Sequence, residues 1–178
     1  MRIIAGKFKG LNLLTFDADN IRPTTDRVRE NIFNKIQFLI PNASVLDLFG
    51  GTGAVSLEFI SRGAERVVTC DNNKKSVELI NKNFAKAGIK PELKIGDFKE
   101  ILRGLKGTLF DIIFLDPPFL EGFGEKAIDL IEELNLLKDD GLIVYEHLLD
   151  KAFKVSEMFE IVDERKYGTI SVSFIRKK

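Results

Sequence analysis

Asp116-Pro117-Pro118-Phe119 places a carboxylate, a ring-fixed backbone carbonyl and an aromatic face within four residues. An ionised carboxylate only accepts hydrogen bonds. The set therefore suits a planar group carrying an amine: the oxygens accept from its N–H groups and the ring stacks on its face. The preceding run, Phe110 to Leu115, reads as a buried strand. Two prolines cannot continue a central ladder, because neither has an N–H to donate. The strand must end there, in a stiff turn at its carboxyl end. A plain strand terminator with a core phenylalanine explains the four residues equally well, so the rest of the chain has to decide.

Three more segments bear on that choice. Val45-Leu46-Asp47-Leu48-Phe49-Gly50-Gly51-Thr52-Gly53 reads as a strand, a glycine turn and a helix start. Glycines allow close backbone approach and positive φ. The spacing is not the dinucleotide fingerprint, since Val55 and Ser56 stand where a third glycine belongs. Asp47 would oppose a pyrophosphate and suits a ligand with an amino group. Asp71 follows the strand Val67 to Cys70, where an acid accepts from ribose hydroxyls in nucleotide folds. Asn72 and Asn73 beside it are helix-cap candidates, as is Asp71 itself. Gly96-Asp97-Phe98 offers a carboxylate for an adenine amine and a ring for its face, or equally an N-cap and a core ring. Acids thus follow strands one to four, in order, on one edge. A core does not require that.

The elements that would position them alternate. Strands are expected at Ser44–Leu48, Arg66–Cys70, Glu92–Ile95, Phe110–Leu115 and Gly141–Glu146. Helices are expected at Ala54–Ser61, Lys74–Ala87, up to Leu105, and at Glu125–Leu136. Such alternation predicts an α/β, doubly wound, mainly parallel sheet that binds ligands at the carboxyl ends of its strands. Met158–Tyr167 and Thr169–Ile175 read as a closing antiparallel hairpin around Gly168. Ile3–Thr15 reads as a small hairpin turning at Lys9-Gly10, so residues 1–20 are expected as an extension and 21–178 as one compact domain. Arg22-Pro23-Thr24-Thr25-Asp26 leads into a helix with Val28, Ile32, Ile36 and Leu39 on one face, capped by Thr24 or Thr25.

Composition sets the limits. The 178 residues carry 27 basic and 27 acidic side chains, which argues against a crude polyanion binder. Basic residues still cluster at Arg165, Lys166, Arg176, Lys177 and Lys178 and near Arg22, Arg27 and Arg29, while 121–140 is acidic. A single cysteine, Cys70, excludes a disulfide framework and reads as core, and the single histidine, His147, reads as structural or surface. There is no apolar run of the ~18 residues a membrane span needs, and no signal peptide, so the expected location is cytoplasmic.

The chain resembles S-adenosylmethionine-dependent methyltransferases, and among them the bacterial small-subunit (16S) ribosomal RNA guanine-N2 methyltransferases. The resemblance runs through Arg2-Ile3-Ile4-Ala5-Gly6, Arg22 to Glu30 with Phe33-Asn34, the Asp47 to Gly53 loop and Asp116 to Phe119. Thr169-Ile170-Ser171 departs from the expected tail. The resemblance implies a Rossmann-like fold with a seven-stranded sheet. It implies that S-adenosyl-L-methionine is held by Asp47, Phe49, Gly50, Gly51 and Gly53, by Asp71 with Asn72 at the ribose, and by Asp97 and Phe98 at the adenine. Asp116 and the Pro117 carbonyl would accept from the guanine amine, with Pro118 stiffening the turn and Phe119 stacking on the base. Arg22, Thr24, Arg27 and Arg29 would bind substrate, the arginines through RNA phosphates or by closing over the cofactor; otherwise the arginines lie on a helix surface. The implied partner is 16S ribosomal RNA, naked or in an assembling small subunit, met by a monomer without metal or membrane. Rival readings remain: methylation of adenine N6 in DNA or RNA, or of a protein glutamine, both of which more often use Asn before the prolines; a nicotinamide oxidoreductase, disfavoured by the glycine spacing; and a non-catalytic RNA-binding protein.

Overall fold

The computed structural model describes residues 1–16, 26–118 and 122–178. A sheet of seven strands forms its centre: β1 (Ser44–Asp47), β2 (Arg66–Asp71), β3 (Glu92–Ile95), β4 (Phe110–Leu115), β5 (Leu137–Leu148), β6 (Phe159–Tyr167) and β7 (Ile170–Lys177). Their order is β3-β2-β1-β4-β5-β7-β6. The first five run parallel, and β7 pairs antiparallel with both β5 and β6. Helices α1 (Asp26–Ile36), α2 (Ala54–Ser61), α3 (Lys74–Lys86), α4 (Phe98–Gly104) and α5 (Phe123–Glu133) flank the sheet. The winding reverses between β1 and β4, which puts Asp47 and Asp116 on neighbouring strand ends at the switch point.

Strand parity sorts the core into two layers. Val45, Ile112, Phe114, Leu142, Val144 and Phe174 pack under α1 and α2, with Ile32, Phe33, Ile36 and Phe59. Leu46, Ile113, Leu115, Ile143 and Tyr145 face α4 and α5, with Leu102, Ile128 and Ile131. Near-continuous apolar strands buried on both faces are what a parallel sheet requires.

Three expectations need correction. The helix expected to reach Leu136 stops at Glu133, and β5 begins at Leu137, four residues before the expected Gly141. Asn135 sits at φ 50, where helix continuation is lost, and Leu136 is then buried as part of the turn into the sheet. Leu39 leaves the α1 face: Gln37–Leu39 tightens into a 3-10 turn and Leu39 is exposed. The N-terminal segment turns as expected but pairs through one bridge only, Arg2 with Asn12, and forms no regular strand. The expected cap at Thr24 or Thr25 lies outside the described residues.

What holds this N-terminal arm is polar and buried. Glu58, at 0% exposure in the middle of α2, accepts from the Ile4 and Ala5 N–H groups and from Arg62 Nε. Asn83 of α3 accepts from the Leu14 N–H and donates to the carbonyls of Leu14 and Thr52, so it ties the arm to the glycine loop. Ile3 and Leu13 pack beneath, against Leu57, Ile80 and Phe84. Removing one partner of a buried ion pair strands the other charge. Glu58→Ala should therefore lower unfolding free energy by about 3 kcal/mol. Urea denaturation should show this as a lower midpoint at unchanged slope.

Candidate active site

The carboxyl edge of β1, β2 and β4 gathers three carboxylates. Asp47 ends β1 and is 1% exposed. Its Oδ2 accepts from Ser56 Oγ at 2.6 Å, and Ser56 in turn accepts from Thr69 Oγ1 at 2.7 Å. Its Oδ1 is buried without a partner among the described residues. Burial, above all, pushes the Asp47 carboxyl up to about 7; the Ser56 hydrogen bond opposes this, and the charges of Asp116 and Asp71 add to it. A net charge of this sign, enclosed by protein, favours a ligand that brings positive charge and repels a pyrophosphate.

Asp71 works first on the backbone. Its Oδ2 accepts from the Gly51 N–H at 2.9 Å and its Oδ1 from the Asn73 N–H at 2.8 Å. With Gly50 N donating to Cys70 O, this folds the glycine loop back onto β2. Gly51 and Gly53 stand at φ +56 and +80, a region that side chains rarely enter. Gly50 serves differently: a Cβ there would lie 2.6 Å from Thr69 Cγ2. The α3 cap is Asn73, accepting from Lys75 and Ser76, so Asp71 is not the helix cap. Asn72 is exposed between the two.

At the end of β3 the structure shows the cap and the core ring. Asp97 caps α4, accepting from Lys99 N at 2.9 Å, yet it is exposed and a carboxylate has capacity for further donors. Phe98 is 7% exposed, between Phe49 and Phe123 at centroid distances of 5.6 and 5.3 Å. Its ring is largely spent on the core, and the half-buried Phe49 and Phe123 are the rings with free surface on this row.

Asp116 is half-buried beyond β4, with Pro117 buried and Pro118 exposed. Phe119, Arg22 and Thr24 lie outside the described residues. Arg27 is exposed on α1. Arg29 is not placed for a phosphate: it is 1% exposed, and its guanidinium donates to the Arg2 carbonyl and pairs with Asp26. The expected substrate contact at Arg29 therefore gives way to a role in seating the arm, because α1 turns this residue inward with Val28 and Ile32. Cys70 is buried and its thiol pushed up by burial, as a core residue. His147 is buried too, its Nδ1 against the Leu148 carbonyl and its Nε2 at 2.9 Å from Ser173 Oγ.

Sequence reasoning missed Ser56, Thr69, Glu58 and Asn83. The detectable signal was polarity out of place, since Ser56 and Glu58 interrupt the apolar helix Ala54-Val55-Ser56-Leu57-Glu58-Phe59-Ile60. Among the described residues no helix is long and apolar enough to cross a membrane.

Comparison with known proteins gives a consistent picture. Residues 1–176 match the family model described as Conserved hypothetical protein 95. The chain is similar to ribosomal RNA small subunit methyltransferase D of Escherichia coli (strain K12), 38% identical over 82% of this chain and 74% of that protein. It is similar to the protein of the same name from Haemophilus influenzae, 34% identical over 96% of this chain and 91% of that one. Among solved structures, yhhF from Escherichia coli superposes with a TM-score of 0.87 at 31% identity, covering 100% of this chain and 98% of its own.

Proposed function

We propose a substrate and a pose from one premise: this chain belongs to the Conserved hypothetical protein 95 family, whose relatives include the ribosomal RNA small subunit methyltransferases D. It is a methyltransferase that uses S-adenosylmethionine and acts on 16S ribosomal RNA, and the acceptor atom is the exocyclic N2 of a guanine. The observation that carries the pose is the buried Oδ1 of Asp47, without a partner among the described residues, beside Asp71 and Asp116. A carboxylate so placed matches a ligand with an ammonium and a sulfonium.

When bound, S-adenosylmethionine supplies an electrophilic methyl group. The protein's residues then have separable tasks. Asp47 takes the ammonium end, while Gly51 and Gly53 leave the ligand room. Asp71 holds the loop and turns its remaining lone pairs to the ribose hydroxyls. Asp97 takes the adenine amine, with Phe49 against the ring and Phe98 buried behind it. Asp116 and the Pro117 carbonyl accept from the two amine hydrogens of guanine. That constraint aligns a lone pair otherwise delocalised into the ring, and positioning of this kind is worth up to ~7–11 kcal/mol in intramolecular models. The proton leaves to Asp116 or to water once the nitrogen is methylated and acidic. Arg27, exposed on α1, meets the RNA backbone, and the enzyme works as a monomer on the assembling subunit.

The test is transfer of tritiated methyl to naked 16S ribosomal RNA and to assembled small subunits, followed by nucleoside mapping. N2-methylguanosine is expected, with the subunit preferred. N6-methyladenosine as the product would overturn the acceptor assignment. Arg27→Ala should raise KM for RNA several-fold and weaken its salt dependence, with kcat little changed.

A further inference from the structure

Next to the Asp116 turn lies a small cleft lined by Pro117, Pro118, Gly122, Glu125, Tyr145 and Lys151. It is enclosed by the end of β4, the first turn of α5 and the end of β5. Glu125 Oε1 stands 3.3 Å from Lys151 Nζ. Glu125 Oε2 is buried and has no hydrogen-bond partner among the described residues. The two side chains nevertheless keep 26% and 36% of their surface, so the pair can be reached from outside. Tyr145 closes the back of the cleft. It can do so only because residue 124 is glycine: a Cβ there would stand 2.2 Å from the tyrosine ring. Burial, the nearby Glu125 charge and the phenol's own approach to the Glu125 carboxylate push the Tyr145 phenol up, so it stays neutral beside that carboxylate. This part-exposed ion pair, with one carboxylate oxygen under-satisfied and the amine clamp beside it, is placed to meet a further donor.

We propose that Glu125 and Lys151 read the base and select guanine. With the N2 amine in the Asp116 clamp, the Glu125 carboxylate accepts from N1–H and Lys151 Nζ donates to O6. Along its edge guanine offers donor, donor, acceptor; the protein offers acceptor, acceptor, donor. Adenine held by its amine would turn the N1 lone pair toward the Glu125 carboxylate and offer nothing to Lys151. The inference rests on the guanine reading above and gives it a structural basis.

The experiment uses RNA substrates carrying guanine or 2,6-diaminopurine at the target position. Diaminopurine keeps the N2 amine but makes N1 an acceptor and replaces O6 by a donor. The wild-type protein should prefer guanine by at least roughly 10²-fold in kcat/KM, since sites built around polar partners reject mismatched ones strongly. Glu125→Gln can turn its amide N–H toward N1 and should narrow that ratio roughly tenfold or more. Lys151→Met, a more exposed change, should narrow it as well. Binding of S-adenosylhomocysteine should be unchanged in both variants. Equal loss on both substrates, with the ratio unmoved in both variants, would make the pair merely structural and overturn the proposal while leaving the guanine reading standing. Failure of the wild-type protein to methylate guanine at all would overturn the guanine reading itself, and the pair's role with it.

Discussion

Asp116→Ala should reduce methyl transfer on the order of 10²–10³-fold in kcat while leaving S-adenosylhomocysteine binding intact. One of two acceptors that orient the amine is lost, and single positioned groups in active sites typically carry effects of that size. Cofactor affinity should even improve slightly below neutral pH. The Asp116 charge helps to hold the Asp47 carboxyl up at about 7, so removing it eases ionisation of Asp47. Asp116→Asn keeps one acceptor and should fall between the two. Single-turnover kinetics and calorimetric titration with S-adenosylhomocysteine check both halves. Unchanged turnover in the alanine variant would remove Asp116 from the reaction.

Asp47→Asn should show opposite effects on stability and binding. In the folded chain the carboxyl titrates at about 7, against 3.8 for its ordinary value. Between these values the folded state holds a proton that the unfolded chain has released, so stability falls as pH rises through the window and the loss is complete above 7. The upper bound on that loss is about 4 kcal/mol. The asparagine variant lacks it, and thermal melting at pH 8 should find the variant more stable than the wild type, with the gap closing toward pH 4. Binding should go the other way. The wild-type protein should bind S-adenosylhomocysteine roughly eightfold more tightly at pH 7.5 than at pH 6, as Asp47 ionises. The variant should bind at least tenfold more weakly at pH 7.5 and show little of this pH dependence. A wild-type affinity independent of pH, beside a variant that binds as well, would show that Asp47 does not meet the ammonium. The stability–function opposition itself is common at sites that hold strain or uncompensated charge.

Legibility differed by kind of information. The parallel core was readable because buried strands are apolar runs and each helix carries its own periodicity, as in Val77, Ile80 and Phe84 of α3. The boundary between α5 and β5 was not, because Leu134, Leu136 and Leu137 continue an apolar pattern that either element accepts. The left-handed Asn135 decides it. Of the site, the acids at the strand ends were legible, since each sits where an apolar run stops. Arg29 was not, because one helix position separates it from the exposed Arg27 and only packing of the arm shows which of the two is inward.

The sequence by itself determined the order of elements, the edge on which Asp47, Asp71, Asp97 and Asp116 stand, and the glycine spacing that disfavours a dinucleotide. All of these follow from local periodicity and turn chemistry, which need no contact distant in sequence. Only the tertiary structure decided which oxygens remain unsatisfied. Among the described residues, Asp47 Oδ1 and Glu125 Oε2 have no hydrogen-bond partner, and their surroundings come from other elements, Ser56 and Thr69 around Asp47 and Lys151 and Tyr145 around Glu125. Free hydrogen-bonding capacity inside a protein is a property of the packed whole, because it is what remains after every nearer partner has been used.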